Sequence, residues 1–191
     1  MQPSTLSRQE LVERICAGGF PDAVGRSPGR RASWFDGYVT TTIERVVRQL
    51  ADIERAAEMP RLIRLCAART AQATSTTVDR PGGPFGQLLE TFVISEIRKQ
   101  LTWAAPRVSM HHFRDRNGVE VDIVLEHPDG RIVGIEIKAT STPRAEDFRG
   151  LRFLAQRLGD RFAFGILLSA APDANPFGPR LAAFPGDALW R

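Results

Sequence analysis

The sequence predicts an α/β protein in which a mixed sheet flanked by helices follows a small all-α region. The first observation is the period-two alternation of apolar side chains over residues 118–125 and 132–138, which is typical of β-strands. The second is helical periodicity on both sides of these runs, over residues 86–101 and 144–158. With 191 residues, 42% of them hydrophobic, the chain is long enough to bury a sizeable core.

The composition divides the chain into two units joined by a linker. Residues 1–74 are predicted to be helical, residues 75–85 form a linker rich in Ser, Thr, Asp, Gly and Pro, and residues 86–191 form the α/β unit. In that second unit we expect a helix over 86–101, a strand over 108–114, a hairpin, a helix over 144–158 and a strand over 162–168. The later helix is predicted to bury one face, which consists of Phe148, Leu151, Leu154, Ala155 and Leu158.

The helical unit is predicted to begin with a capped helix. Ser7 and Glu10 have capping-box spacing, and the run Gly18-Gly19-Phe20-Pro21 ends this helix. The apolar pattern from Trp34 to Leu50 predicts a long amphipathic helix, and the pattern from Leu62 to Ala67 predicts another.

The predicted hairpin carries three carboxylates and one lysine. If the apolar side chains of both strands share a face, the numbers of facing residues sum to an even number. A two-residue turn at Asp129-Gly130 would break that parity, so we expect an odd-length loop or a bulge within His127–Arg131. The side chains of Glu120, Asp122, Glu136 and Lys138 then form one polar cluster, and Gly134 leaves room beside it.

The cluster has the chemistry of a divalent-cation site. Two carboxylates with water suit Mg²⁺ or Mn²⁺, which prefer oxygen ligands, so Asp122, Glu136 and Glu120 are the candidate metal ligands. Lys138 would orient a water molecule or stabilise a developing oxyanion. The alternative is a surface hairpin whose Glu and Lys side chains form ordinary cross-strand pairs.

The use of lysine is unusual in this chain, which has 24 arginines and only two lysines, Lys99 and Lys138. Lysine differs from arginine in having a compact charge and a pKa that its surroundings can shift. A lysine kept where arginine is otherwise the rule favours a specific role for Lys138.

A fourth carboxylate lies on the helix before the hairpin. Glu90 falls on the same stripe of that helix as Ile94, Ile97 and Leu101. A carboxylate on an apolar stripe is costly unless it is paired or liganded, which makes Glu90 a candidate catalytic residue with Asp122, Glu136 and Lys138. Equally, an acidic side chain in the first turn of a helix is stabilised by the helix dipole.

Basic residues offer contacts for phosphates. We expect Arg114, Arg149 and Arg152 to bind nucleic acid, although a solvated basic helix face would have the same sequence. The net charge of +4 and the pI near 9.8 are compatible with that partner. Of the neighbouring His111 and His112, at most one can point toward the acids, and neither is chosen as a site residue.

Several classes of protein are excluded by what the sequence lacks. No apolar run approaches the length of a membrane span, and no P-loop motif provides an ATP site. Cys16 and Cys66 have neither CxxC spacing nor clustered histidines, which indicates reduced thiols in a cytoplasmic protein without zinc.

The spacing of Asp122, thirteen residues and then Glu136-x-Lys138 resembles the PD-(D/E)XK nuclease superfamily, with Val121 where that pattern has proline. The resemblance implies a restriction-endonuclease-like fold, Mg²⁺ or Mn²⁺ as cofactor, and hydrolysis of DNA phosphodiesters. The superfamily usually adds a glutamate from a preceding helix, and Glu90 fits that position.

A wider resemblance covers nearly the whole chain. It is carried by Gly18-Gly19-Phe20-Pro21, Leu89-Glu90-Thr91-Phe92-Val93, Glu120-Val121-Asp122, Ile135-Glu136-Ile137-Lys138 and the closing Leu189-Trp190, among others. Together these look like the uncharacterised domain found C-terminal to AAA-type ATPases of bacteria and archaea. That resemblance implies a separate AAA-type ATPase as a partner.

We expect this chain to depart from that family in two respects, by lacking the ATPase module and by lacking the stretch that would form a winged helix. We therefore expect a shortened relative whose helical half exposes an apolar face, which would favour a homodimer or another subunit. Besides a metal-dependent nuclease, the sequence is compatible with an inactive nuclease-fold module that binds nucleic acid or a partner ATPase. It is also compatible with a purely structural remnant.

Overall fold

A computed structural model describes residues 4, 6–42, 45, 61, 63 and 85–190 of the chain. The chain divides into two compact units. Met1–Leu11 and Phe85–Arg191 form the first unit, and Val12–Pro84 form the second. Most of the predicted helix over residues 62–67, the predicted linker and Cys66 lie outside the described residues.

The described helices of the N-terminal region are α1 (Arg8–Ala17), α2 (Pro21–Val24) and α3 (Pro28–Thr42). The predicted capping box is present, because the Ser7 Oγ accepts a hydrogen bond from the Glu10 amide at 3.2 Å. The Glu10 carboxylate in turn accepts one from the Ser7 amide at 2.7 Å. The C-terminal half of the long helix predicted from Trp34 to Leu50 lies largely outside the described residues.

The sheet of the α/β unit contains six strands in the order β1-β2-β3-β4-β6-β5. Their bounds are β1 (Ser109–Arg114), β2 (Glu120–Glu126), β3 (Ile132–Lys138), β4 (Phe162–Ser169), β5 (Asn175–Gly178) and β6 (Leu181–Pro185). Strands β1, β2 and β3 are antiparallel, β4 pairs in parallel with β3 and with β6, and β5 is antiparallel to β6. The predicted mixed sheet is confirmed, with β5 and β6 as strands that the sequence pattern did not identify.

Two helices belong to this sheet, α4 (Phe85–Leu101) and α5 (Arg149–Leu158), and both agree with the predicted ranges. The 144–158 range begins with a 3-10 turn, Ala145–Phe148. Helix α4 packs on β3 through its buried Phe85, Leu89, Val93 and Ile97. Helix α5 packs on β3 and β4.

The core beneath α5 joins residues from both helix and sheet. Phe148 and Leu151 are fully buried there with Val121, Phe162 and Leu167. Full burial of a side chain of this size contributes about 1.5–3 kcal/mol relative to exposure, so this cluster fixes α5 on the sheet. Ala155 and Leu158 of the predicted buried face are partly buried against the same cluster.

Two glycines allow this close packing. A Cβ at Gly150 would lie 2.2 Å from the carbonyl oxygen of Glu120, so only glycine lets the first turn of α5 approach β2 at this distance. A Cβ at Gly134 would lie 2.7 Å from Leu151. The expectation that Gly134 leaves room beside the polar cluster is therefore wrong, because Leu151 fills that space.

None of the helices in the described part of the chain combines the length and the apolar character that crossing a bilayer requires.

Candidate functional site

The register of the β2–β3 hairpin places its acids together. Ile123 faces Ile135 and Val124 faces Gly134, so facing residues sum to an even number as predicted. The turn is five residues long, and it is closed by a hydrogen bond from the His127 amide to the Arg131 carbonyl at 2.9 Å. In this register Asp122 is level with Glu136 on the neighbouring strand.

A β-bulge in β2 lies at the same point. His111 pairs with Val124 and Phe113 pairs with Val121, so two residues of β2, Asp122 and Ile123, oppose the single His112 of β1. The extra residue turns both Val121 and Val124 into the core beneath α5, although they are three positions apart. The bulge therefore lies at Asp122, where the acids meet.

Hydrogen bonds fix one oxygen of each central carboxylate. Oδ2 of Asp122 accepts a bond from the backbone amide of Ile137 at 2.7 Å, and Oε1 of Glu136 accepts one from Nζ of Lys138 at 2.7 Å. Glu136 is only 7% exposed, and within the described residues its Oε2 has no hydrogen-bond partner. A buried carboxylate oxygen without a hydrogen bond costs free energy of folding. A ligand bound to this oxygen would remove that cost.

Excess negative charge characterises the site. Burial raises the pKa of Asp122, against the opposing effect of the hydrogen bond from Ile137, and burial likewise raises the pKa of Glu136. Burial also raises the pKa of Glu90, and the charges of Asp122 and Glu120 raise it further. A cation placed among these carboxylates would offset the repulsion between them.

The side chain of Lys138 supplies a positive charge among these carboxylates. Burial alone would lower the pKa of Lys138, but its hydrogen bond to Glu136 and the charges of Glu136, Asp122 and Asp147 outweigh that effect and raise the pKa above its ordinary value. The side chain is 40% exposed, so the ammonium group faces the cavity while it is bound to Glu136. This placement agrees with the role predicted for Lys138, which stays a prediction.

A cavity of about 450 Å³ joins these side chains. All five predicted catalytic and metal-ligand residues contribute to its walls: Glu90, Glu120, Asp122, Glu136 and Lys138. Glu90 comes from α4, the two acids numbered 120 and 122 from β2, and the remaining two residues from β3. Asp147 of the 3-10 turn and Arg149 at the beginning of α5 close the cavity on the other side.

The structure also brings His112 to the site, which the sequence pattern left undecided. Its Nδ1 lies 3.2 Å from the carbonyl oxygen of Asp122, and its Nε2 lies 3.2 Å from Oε1 of Glu120. His111 points elsewhere, with Nε2 3.9 Å from Glu126. Alternation along β1 limited the choice to one histidine, but the bulge that brings His112 to Asp122 leaves no signal in the sequence.

The three arginines predicted to bind phosphates differ in their exposure and in their partners. Arg114 is exposed, and its Nη1 lies 3.8 Å from Glu120. Arg149 is exposed and lines the cavity, and it forms no ion pair with any described residue. Arg152 is half-buried, with its guanidinium over the Phe148 ring and a hydrogen bond to the carbonyl of Ala145.

The donor set can be compared with what a divalent cation needs. Among the described residues, no three His, Cys, Asp or Glu side chains lie close enough to hold a metal ion together. Mg²⁺ commonly uses only one or two protein carboxylates and keeps several waters. Neither Asp122 Oδ1 nor Glu136 Oε2 forms a hydrogen bond with a described residue, so this two-carboxylate arrangement fits Mg²⁺ or Mn²⁺.

Fold and site together define a mixed α/β domain with a carboxylate–lysine cluster at the place where strands β2 and β3 meet the two helices. We use this name for Glu90, Glu120, Asp122, Glu136 and Lys138. The chain belongs to the family of the domain of unknown function DUF4143, whose model matches residues 85–185. That domain is often found with AAA ATPases, which confirms the predicted resemblance to an uncharacterised domain that accompanies such ATPases. A second domain of unknown function, DUF8612, matches residues 8–82. No curated protein matches the sequence.

Proposed function

We propose that this chain is a metal-dependent nuclease-like domain that hydrolyses DNA phosphodiesters. The observation that carries the proposal is the pair Asp122 and Glu136, each with one oxygen held by a hydrogen bond and one left for a ligand, beside Lys138. The arrangement of one Asp, one Glu and one Lys is what the resemblance to the PD-(D/E)XK superfamily implies.

The residues of the site would have different roles, according to their positions. Asp122 and Glu136 would hold Mg²⁺ or Mn²⁺, with Glu120 or Glu90 assisting from the cavity wall. The bound ion would lower the pKa of a water molecule and neutralise charge on the phosphate. The Ile137 amide keeps the Asp122 carboxylate in place, and the Lys138 ammonium group holds Glu136 and reaches into the cavity.

Lys138 would orient the attacking water, or donate a hydrogen bond to the phosphate oxygen on which negative charge develops. The arginines would act before that step, by binding the phosphates on either side of the scissile bond. Arg149 is the best placed of them, because it lines the cavity with no competing ion pair among the described residues.

A second function is favoured by one observation, the absence of a three-ligand metal group among the described residues. The chain would then be a nuclease-fold module that binds nucleic acid or a separate AAA-type ATPase without catalysis. The two functions differ in a simple way, since only the first requires cleavage that depends on both a divalent cation and the carboxylate–lysine cluster.

The test is cleavage of single-stranded, duplex and branched DNA in Mg²⁺ or Mn²⁺. We expect Asp122→Asn and Lys138→Met each to lower the cleavage rate by at least about 100-fold, the usual scale for a group that acts in proton transfer or charge stabilisation. Glu126→Gln is the matched control, because Glu126 lies on the same strand but pairs with Arg161 at 2.9 Å. Equal rates for the wild type and both cluster variants would refute the assignment, and DNA binding without cleavage would establish the second function.

A further inference from the structure

Three cavities of the α/β unit share walls. The cavity over the acids shares Glu90 and Asp122 with a second cavity of about 610 Å³, which lies along α4 and β1. It shares Val119 and Arg149 with a third cavity of about 440 Å³, between α5 and the β1–β2 turn. Because each neighbouring pair has walls in common, the three form one track with the carboxylate–lysine cluster in its middle.

The two ends of the track differ in chemistry. The wall of the α4 end is mixed. Ile94, Leu101, Val108 and Met110 lie in it beside Thr102, His111 and His112, and Arg98 is its exposed cation. Trp103 follows Thr102 of this wall and is 71% exposed, the most exposed large hydrophobic side chain of the described residues. At the other end lie two arginines, Arg149 and Arg152, with the polar Asn117 and Gln156.

The arginines at the two ends of the track suit phosphates, whereas a phosphate over the acids in its middle needs a cation to offset their charge. Arg98 and Arg149 form no ion pair with any described residue, so both guanidinium groups are available to an anion. The exposed indole of Trp103, which directly follows Thr102 of this wall in the chain, offers a stacking surface for a base, and stacking requires that the base be free of a duplex.

We infer that the track binds a single-stranded segment of nucleic acid. The strand passes over the acids, a base stacks on Trp103 at the α4 end, and Arg149 and Arg152 bind phosphates at the α5 end. This inference rests on the proposed function and specifies its substrate as a single strand, or the single-stranded arm of a branched molecule.

Binding is measured by fluorescence anisotropy of a labelled 20-nucleotide strand and of its duplex, with Mg²⁺ present to offset the charge of the acids. Every protein in this assay carries Lys138→Met, so that cleavage is slow during the measurement. Stacking on an aromatic side chain is worth about 1–3 kcal/mol per base. We therefore expect Trp103→Leu to weaken single-strand binding about tenfold, and to change duplex binding less than twofold. Unchanged single-strand binding, or equal losses for both forms, overturns the inference.

The arginines are tested through the dependence on salt. Each phosphate contact on a single strand contributes about 0.7 to the slope of log K against log salt. We expect Arg149→Ser with Arg152→Ser to lower that slope by about 1.4, and Arg98→Ser to lower it by about 0.7. Arg131→Ser is the matched control, because Arg131 pairs with Asp129 in the distant hairpin turn. A slope lowered equally by the control overturns the track, and circular dichroism verifies that each variant is folded.

The two proposals can fail separately. Loss of single-strand binding in Trp103→Leu, together with a wild type that cleaves no DNA in Mg²⁺, would keep the track and refute the nuclease. Cleavage that depends on Asp122, together with unchanged binding by Trp103→Leu, would keep the nuclease and refute the track.

Discussion

The approach of helix α5 to strand β2 can be tested by a single methyl group at Gly150. A Cβ there would lie 2.2 Å from the Glu120 carbonyl oxygen and 3.1 Å from Cγ2 of Val121. Real Cβ atoms essentially never come within 3.0 Å of a heavy atom, so helix and strand must separate by at least about 0.8 Å. The backbone that must move lies two residues from Asp122, so the substitution tests how the site is held.

The size of the effect follows from two opposing contributions. Forcing extra volume into a well-packed place costs about 1–3 kcal/mol, whereas replacing glycine by alanine within a helix stabilises it by about 0.5–1 kcal/mol. We expect Gly150→Ala to lower the free energy of unfolding by about 1–2 kcal/mol. For a chain of this length that corresponds to a fall in Tm of about 2–8 °C.

Gly86→Ala is the matched control, because Gly86 also lies in a helix of the same unit and a Cβ there would be 4.0 Å from Cβ of Ala139, an ordinary contact. This control should be as stable as the wild type, or more stable by up to about 1 kcal/mol. Urea denaturation followed by circular dichroism gives both values. Equal stabilities for Gly150→Ala and Gly86→Ala would refute the close approach of α5 to β2.

Two further predictions concern the charges and the core of the same unit. Because burial raises the pKa of Glu90, Asp122 and Glu136, the folded protein keeps protons that the unfolded chain releases, so its free energy of unfolding falls as the pH rises above about 4. Urea midpoints from pH 4 to pH 8 should show this fall, and it should be smaller in Glu90→Gln; parallel profiles would contradict the assignment. Leu151→Ala removes a fully buried side chain and should cost about 2–5 kcal/mol in the same urea experiment, whereas a loss below 1 kcal/mol would mean that α5 is not anchored there.

Much of the site could be predicted because strand alternation and turn length are local properties. The even register of the hairpin followed from the apolar positions and from the five residues His127–Arg131, and the structure confirms it. Glu90 likewise lines the cavity with the acids, although only Ile97 of the stripe predicted on α4 is buried, whereas Ile94 and Leu101 are half-buried. The same local patterns predicted Phe148 and Leu151 as buried.

What the sequence did not reveal depends on contacts between distant segments. Strand β6 contains no polar residue, so it shows no alternation of apolar and polar side chains, and it is a strand because it pairs with β4 over Gly165–Ser169. The bulge that brings His112 to Asp122 depends on how β1 aligns with β2. The prediction that Gly134 leaves room beside the acids is wrong because nothing in the hairpin itself indicates that Leu151 packs against this glycine.

The most direct test of the proposed site is calorimetric titration with Mg²⁺ and Mn²⁺. The wild type and the control Glu126→Gln should bind the cation, and the double variant Asp122→Ala with Glu136→Ala should not, because it lacks both oxygens that the structure leaves for a ligand. The titration is repeated with an oligonucleotide present, so that binding that requires DNA is detected. A wild type that binds neither cation under either condition, or a double variant that binds as tightly as the wild type, would contradict the metal site on which the proposed function rests.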